Sequence, residues 1–390
     1  MIDFSIIFVI TLLVAGVVNL LYEFKRDLMM YQQNSYRNER YMRWLSTSGD
    51  TTSLVRLLTY IAIMVMLVPQ LSYMFCCCVA LIPLCINVGK LIVARYKKPL
   101  VWTNRVKRIF AVASLLSVGI CVAAWFIWKS WYVVDVALLV IFAMSHVIIM
   151  LSGILLKPVE ASINRKYYNE AASILRSMPD LTVIGVTGSY GKTSTKHYLN
   201  RILSEKYDVL MTPGSYNTTM GVIRTVREMM KPYNEIFICE MGAKNIGDIK
   251  EICDLVHPTI GIVTAVGEQH LESFKTIENV QRTKFELVDS LPENGLAVIN
   301  DDFPFAASRK VDNVKALRYA VRAVDNADYR VTSVVYDETG TSFSMQGPEG
   351  EFSFHTRLVG ECNISNLMGA VIVALYLKVP VDKIQYAISK

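Results

Sequence analysis

Hydrophobic positions along the chain change character near Lys157. Before it they run almost without interruption; after it they alternate with polar positions at strand and helix periods. The first run, residues 2–21, is long enough to span a bilayer at about 1.5 Å of rise per residue. It has no basic leader and no small-residue cleavage site, so it reads as an anchor and not a signal peptide. Residues 54–94 are too long for one span, and Pro69-Gln70 marks a hairpin between two. Residues 109–128 and 131–156 supply two more, which makes five expected spans in a membrane region of residues 1–156.

Residues 157–180 read as a linker, and residues 181–390 as an α/β domain. Strand patterns at 181–186, 209–212, 235–241, 259–264 and 296–300 are mostly followed by helical ones, at 192–203, 221–230, 247–256 and 277–291. Such alternation predicts a mostly parallel sheet with helices on both faces. From 329 to 358 the period drops to two, with turns at Glu338-Thr339-Gly340 and Gly347-Pro348-Glu349-Gly350, which predicts a small antiparallel appendage. Residues 363–377 are a last clear apolar helix, and 380–390 begin another. The expected fold class is therefore an α-helical transmembrane region followed by an α/β domain with a P-loop-type sheet.

Composition agrees: 53% hydrophobic residues and a mean hydropathy of +0.34 are too apolar for one soluble α/β domain. The net charge of +6 is modest and its basic residues flank the apolar runs, with no aromatic-interleaved basic stripe, so no nucleic-acid partner is expected. Lys25, Arg26, Arg37, Arg40 and Arg43 follow the first span. Arg95, Lys97, Lys98, Arg105, Lys107 and Arg108 follow the third; Lys157, Arg165 and Lys166 follow the fifth. The alternate loops hold only Lys129. The positive-inside rule then puts the N-terminus outside and the α/β domain in the cytosol, under a cell (cytoplasmic) membrane crossed several times. Trp102, Trp125, Trp128 and Trp131 fall near span ends. Asp135 and His146 lie within the fifth span, as a polar pathway or, for Asp135, within reach of headgroups. The eight cysteines form neither a zinc pattern nor a disulfide framework.

The chemistry gathers in the α/β domain. Residues 182–195 read Thr-Val-Ile-Gly-Val-Thr-Gly-Ser-Tyr-Gly-Lys-Thr-Ser-Thr: a strand, a Gly-rich turn, then a helix. Thr187, Gly188, Ser189, Gly191, Lys192, Thr193 and Ser194 would surround a phosphate with backbone N–H groups, a lysine charge and a hydroxyl able to ligate Mg²⁺. Val186 stands where the strict phosphate-loop pattern has its first glycine. Glu240 ends an apolar strand, where the crevice of an open sheet lies, and suits a Mg²⁺ ligand or a water-activating base, or else a helix-entry residue. His270 follows another strand end, as a loop histidine or a ligand. Lys284 falls in the middle of the apolar stripe Ile277, Val280, Leu287, Val288, Leu291, so it is a snorkelling side chain or a buried functional group.

Taken together, 187–196 (Thr-Gly-Ser-Tyr-Gly-Lys-Thr-Ser-Thr-Lys), Glu240-Met-Gly-Ala243, Gly267-Glu-Gln-His270 and Arg282-Thr-Lys-Phe-Glu-Leu287 resemble the central ATPase domain of the Mur ligases over residues 181–390. Among its members the chain looks closest to those that add D-alanyl-D-alanine. The resemblance implies ATP and Mg²⁺ as cofactors. Lys192 and its loop would hold the β/γ-phosphates, and Thr193, Glu240 and His270 would serve the metals. Lys284 would be carbamylated by CO₂ into a further ligand. Asn300, Asn363 and Asn366 would contact adenine, and Asn217 would face substrate. Catalysis would rest on Lys192, Glu240, His270 and Lys284.

The implied activity is amide ligation in cell-wall precursor synthesis through an acyl phosphate. Other carboxylates (a lipid-linked wall precursor, poly-γ-glutamate) and a non-catalytic ATP-binding scaffold stand as alternatives. Partners would be the lipid bilayer and the wall precursor. The family's histidine before Asn363 is Cys362 here, and the family's Asn-Asn-Glu-Ile-Gly loop reads Asn217-Thr-Thr-Met-Gly221. Membrane helices stand in place of the UDP-binding domain. The third, amine-binding domain would begin where this chain stops. It is expected either beyond a fragment's end or from a separate partner, and without it ligation is expected to be weak or absent.

Overall fold

A computed structural model describes residues 4–96, 98–269, 271–322 and 327–390, and these fall into two compact units, Met1–Ile163 and Asn164–Lys390. The first contains helices α1 (Phe4–Gln33), α2 (Asn38–Ser48), α3 (Leu54–Met66), α4 (Tyr73–Val93), α5 (Asn104–Trp128), α6 (Trp131–Ala143) and α7 (Ser145–Leu155). Among the described residues α1, α4 and α5 are each long and apolar enough to cross a membrane. Many of their large apolar side chains point outward, among them Ile10, Val14, Leu115, Val118 and Phe126. The run expected as one span at 131–156 is broken instead: α6 and α7 meet at a 77° bend and pass as a span only together. The expected hairpin at Pro69 separates α3 from α4, but α3 has 13 residues, about 20 Å of helix against a hydrocarbon core of about 30 Å.

Several polar side chains buried inside this bundle are paired there, while the Tyr41 hydroxyl and His146 Nδ1 are buried without a hydrogen-bond partner among the described residues. Arg56 donates to the Ala143 carbonyl at the α6–α7 break and pairs with Asp50 at 3.2 Å. Ser145, on the far side of the break, donates to Asp27 at 2.6 Å. The bend at Met144 frees helix-end carbonyls that would be orphaned in hydrocarbon, and Arg56 satisfies the one at Ala143. Asp135 is fully buried and accepts from the Tyr73 hydroxyl, so it does not reach outward to headgroups.

Residues 157–180, expected as a linker, are largely helical: α8 (Lys157–Arg176) begins in the first unit and ends in the second. The second unit continues as β1 (Thr182–Thr187), α9 (Lys192–Leu203), β2 (Val209–Met211), α10 (Thr219–Met229), β3 (Ile236–Glu240), α11 (Asp248–Val256) and β4 (Ile260–Val263). Then come α12 (Leu271–Phe274), α13 (Ile277–Asp289), β5 (Leu296–Asn300), α14 (Pro304–Ala307), β6 (Lys315–Ala320), β7 (Tyr329–Asp337), β8 (Gly340–Gly347), β9 (Gly350–Thr356), α15 (Glu361–Tyr376) and α16 (Val381–Ser389).

One sheet runs in the order β2-β3-β1-β4-β5-β6-β7-β8-β9, parallel as far as β7 and antiparallel beyond. The antiparallel strands thus extend the main sheet. The inner strands β3, β4 and β5 are buried throughout, as parallel strands covered on both faces must be. Along β1, Ile184 and Val186 face a layer with α9, α15 and α16, while Val183 faces α10, α11 and α13. At Gly185 a Cβ would stand 2.5 Å from Leu287, so the glycine lets α13 pack close to β1. From β1 the chain goes outward to β2 on one side, and from β4 to β5 on the other. This reversal puts a crevice at the carboxyl ends of β1, β3 and β4, where open α/β sheets bind ligands.

Candidate active site

The turn after β1 is built from backbone that side chains would obstruct. Gly188 (φ +153°) lies so close to β4's exit that a Cβ would stand 2.1 Å from Thr264 Oγ1 and 2.9 Å from the Ala265 nitrogen. Gly191 (φ +79°) is the left-handed residue that starts α9, and a Cβ there would meet Asn366 Oδ1 at 2.2 Å. Ser189 fastens the turn to the β4 loop: its N–H donates to the Ala265 carbonyl at 2.8 Å, and its hydroxyl to the Gly267 carbonyl at 2.9 Å. Thr187, fully buried, donates to the Met241 carbonyl at 3.0 Å. The result is a fixed concave turn opening onto a helix N-terminus, a shape suited to phosphate.

Lys192 folds over that turn, its Nζ donating to the carbonyls of Gly188 (2.8 Å) and Ser189 (3.3 Å). Burial lowers its pKa, opposed by the negative charge of Glu240. Thr193, one residue on, donates its hydroxyl to Glu240 Oε2 at 3.1 Å. Ser194 is half-buried on the same turn.

Glu240 is 1% exposed at the end of β3. Parallel pairing sets it beside Val186 of β1, which brings the strand end against the phosphate turn. Besides Thr193, its Oε2 accepts from Lys196 Nζ at 2.9 Å, and its Oε1 accepts from Asn217 Nδ2 at 3.1 Å. Asn217, on the loop between β2 and α10, is held by its carbonyl, which accepts from Gly242 N–H at 2.7 Å. Lys196 is fully buried and donates also to the Gly214 carbonyl at 2.7 Å. It was not among the residues expected at the site, although it shares an α9 stripe with Leu199 and Leu203, the same signal that marks Lys284.

Lys284 is buried on the inward face of α13, 2% exposed, with no hydrogen bond or ion pair to another described residue. Burial, and then the nearby charge of Lys192, push its pKa down to about 8, against the raising influence of Glu286 and Asp248. About a tenth of the amines are then neutral and nucleophilic at pH 7. His270 lies outside the described residues.

The three asparagines expected at the adenine are placed differently from one another. Asn366 lines a cavity of about 360 Å³ with Tyr190, Gly191, Thr264, Cys362 and Ser365, its Oδ1 accepting from Thr195 at 3.3 Å. Asn300 is buried, its amide donating to the Thr264 carbonyl (2.9 Å) and Ser365 Oγ (2.8 Å) while its Oδ1 accepts from Asp302 N–H. Asn363 accepts from the Tyr198 hydroxyl at 2.8 Å and donates to the Val359 carbonyl at 2.9 Å. The last two side chains are spent within the fold. Cys362 is exposed at the cavity.

Among the described residues no three His, Cys, Asp or Glu side chains gather as a metal cage. The donors present, one hydroxyl and one carboxylate beside a phosphate turn, fit Mg²⁺, which keeps waters and binds through few carboxylates plus substrate phosphates. They do not fit a structural zinc site, which needs four nitrogen or sulfur ligands.

Residues 186–374 match the Mur ligase middle domain. The chain is 30% identical over 227 residues to the UDP-N-acetylmuramoyl-tripeptide–D-alanyl-D-alanine ligase of Escherichia coli K12, an alignment covering 58% of this chain and 50% of that protein. It is 32% identical over 195 residues to the Bacillus subtilis 168 enzyme of the same name, covering 50% and 41%. The chain therefore spans about half the length of the curated relatives it matches. MurF from Acinetobacter baumannii superposes with a TM-score of 0.54 at 25% identity, over 57% of this chain and 49% of that one. MurF from Thermotoga maritima, solved in complex with ADP, gives 0.53 at 28% identity, over 58% and 52%. The matched stretch and the superposition agree: residues 186–374 of this chain have the sequence pattern and the fold of a Mur ligase middle domain.

Proposed function

We propose that this chain is the ATP-consuming part of a membrane-bound ligase that activates the carboxylate of a muramoyl peptide for amide formation with D-Ala-D-Ala or a similar amine. The observation that carries this reading is the grouping of half-buried Lys192 and exposed Thr193 with buried Glu240 and Lys284 around the phosphate turn of a Mur ligase middle domain. A substrate carboxylate oxygen attacks the γ-phosphorus of ATP, the bond from that phosphorus to the β–γ bridging oxygen breaks, and ADP leaves. An amine nitrogen then attacks the acyl carbon, phosphate departs with the electrons of the carbon–oxygen bond, and the nitrogen loses a proton.

The protein's share is alignment and charge neutralisation. The loop N–H groups and Lys192 hold phosphate oxygens, and Asn366 lines the adjoining cavity for the rest of the nucleotide. Thr193 and Glu240 would hold Mg²⁺, with His270 and Lys284 as further candidates. When bound, Mg²⁺ neutralises charge on the transferring phosphoryl group. Carbamylation by CO₂ would turn the buried Lys284 from a cation into an oxygen donor, and its lowered pKa makes the amine available for that.

The apolar helices support a multi-pass place in a cytoplasmic membrane, N-terminus outside and this domain in the cytosol beside ATP. A further domain for the incoming amine would come from a separate partner or a longer chain. The same helices favour, as a second reading, a lipid-linked precursor over a soluble one. ADP formation by the detergent-solubilised chain tests both: we expect stimulation by UDP-muramoyl-tripeptide or its lipid-linked form with D-Ala-D-Ala. ADP formation indifferent to every wall precursor would remove the cell-wall assignment.

A further inference from the structure

The two lysines of the phosphate helix, one turn apart, do different work. Lys192 Nζ rests on the loop carbonyls of Gly188 and Ser189, while Lys196 Nζ lies inside the protein on Glu240 and Gly214. The geometry points to Lys196 as the resident counter-ion and positioning residue of Glu240, which decides the carboxylate oxygen presented to a divalent cation. This inference rests on the reading above that Glu240 faces such a cation.

Glu240 is buried, and a carboxylate in that setting needs a compensating charge and hydrogen bonds. Lys196, itself fully buried, supplies the charge at 2.9 Å. A carboxylate has about four acceptor sites, two per oxygen. Oε2 spends both, on Lys196 and Thr193; Oε1 spends one, on Asn217. Oε1 is therefore the oxygen with capacity left among the described residues, and it is the one a cation would take. The same ammonium holds the Gly214 carbonyl, so one side chain ties α9, the end of β3 and the loop bearing Asn217 into a single unit. Residues 214–217 are thereby coupled to the phosphate helix through Lys196 and Glu240.

The test compares the full chain in detergent as wild type, Lys196→Met, and Lys196→Met with Glu240→Gln, by thermal melting with chelator and with saturating Mn²⁺. With its ammonium gone, the divalent ion is the added counter-charge that restores Glu240 as a carboxylate. Lys196→Met should therefore melt well below wild type in chelator and rise on Mn²⁺ addition by at least about twice the wild-type shift. The double variant, which removes both charges, should melt above the single variant and lose the Mn²⁺ response. In steady state, Lys196→Met should lower kcat for ADP formation by about tenfold or more, with KM for ATP changed far less.

A Lys196→Met chain whose melting responds to Mn²⁺ no more than wild type contradicts the inference, as does a double variant less stable than the single one. If Lys196→Met does not fold at all, a folded double variant upholds the counter-ion role and an unfolded one overturns it. A wild type that forms no ADP would defeat the ligase reading alone, because the melting comparison needs no nucleotide.

Discussion

Lys284 carries its charge on the inward face of α13, and the fold is less stable for it whenever that amine is protonated. Its pKa drops from the ordinary 10.5 to about 8, chiefly through burial. Between those two values the unfolded chain binds a proton that the folded chain does not, so stability rises with pH across that window and is lowest below pH 8. A shift of this size corresponds to roughly 3 kcal/mol. In CO₂-free buffer, Lys284→Met should melt higher than wild type at pH 7, and the gap should close as pH climbs from 8 toward 10.5. Parallel melting curves for the two proteins would refute the account of this residue. Its burial was legible in advance because one lysine interrupts an otherwise apolar stripe. The partners of Glu240 were not, since Thr193 and Lys196 reach it only through the pairing of β1 with β3, and Asn217 only through that of β2 with β3. Nor could the sequence tell Asn366, which lines a cavity, from Asn300 and Asn363, whose amides close bonds inside the fold.

At the scale of elements, the phosphate turn depends on backbone that passes within contact of the β4 exit. Gly188→Ala should force that turn open, since its Cβ would collide with both Thr264 Oγ1 and the Ala265 nitrogen. A loss of nucleotide affinity of tenfold or more is expected, read by titration with a fluorescent ATP analogue; near-wild-type binding would mean that the turn does not hold phosphate. Strands β1 to β5 were readable from their short apolar runs, and β7 to β9 from alternation. β6 escaped notice because Lys315–Ala320 is only half-buried and opens on a lysine. The helix break at Met144 was hidden for a different reason. Its flanks are equally apolar, and the group that satisfies the freed Ala143 carbonyl, Arg56, comes from 87 residues away. The helix over Lys157–Arg176 did carry a sign, since Tyr168, Ala171, Ala172 and Leu175 recur at helical spacing and pack in the second unit's core.

For the whole molecule, two units joined through α8 divide the proposed labour between a membrane and a nucleotide. Gln32 and Gln33, at the end of α1, donate to the Val101 and Lys98 carbonyls. The basic segments after α1 and before α5 therefore lie on one side even with α3 too short to span, and they argue that the second unit is cytosolic. A reporter fused after Leu156 should therefore read as cytosolic, and a single cysteine in place of Lys129 should be labelled from outside. An external signal after Leu156 would overturn the orientation and with it access to cytosolic ATP. The central claim is that the nucleotide's γ-phosphoryl group passes to a wall-precursor carboxylate. Hydroxylamine intercepts acyl phosphates, so membranes carrying the full chain, given MgATP, muramoyl-tripeptide precursor and hydroxylamine, should yield the precursor's hydroxamate together with ADP. The Lys192→Ala chain should yield neither. ADP appearing without hydroxamate, or equal hydroxamate from the Lys192→Ala chain, would contradict the account.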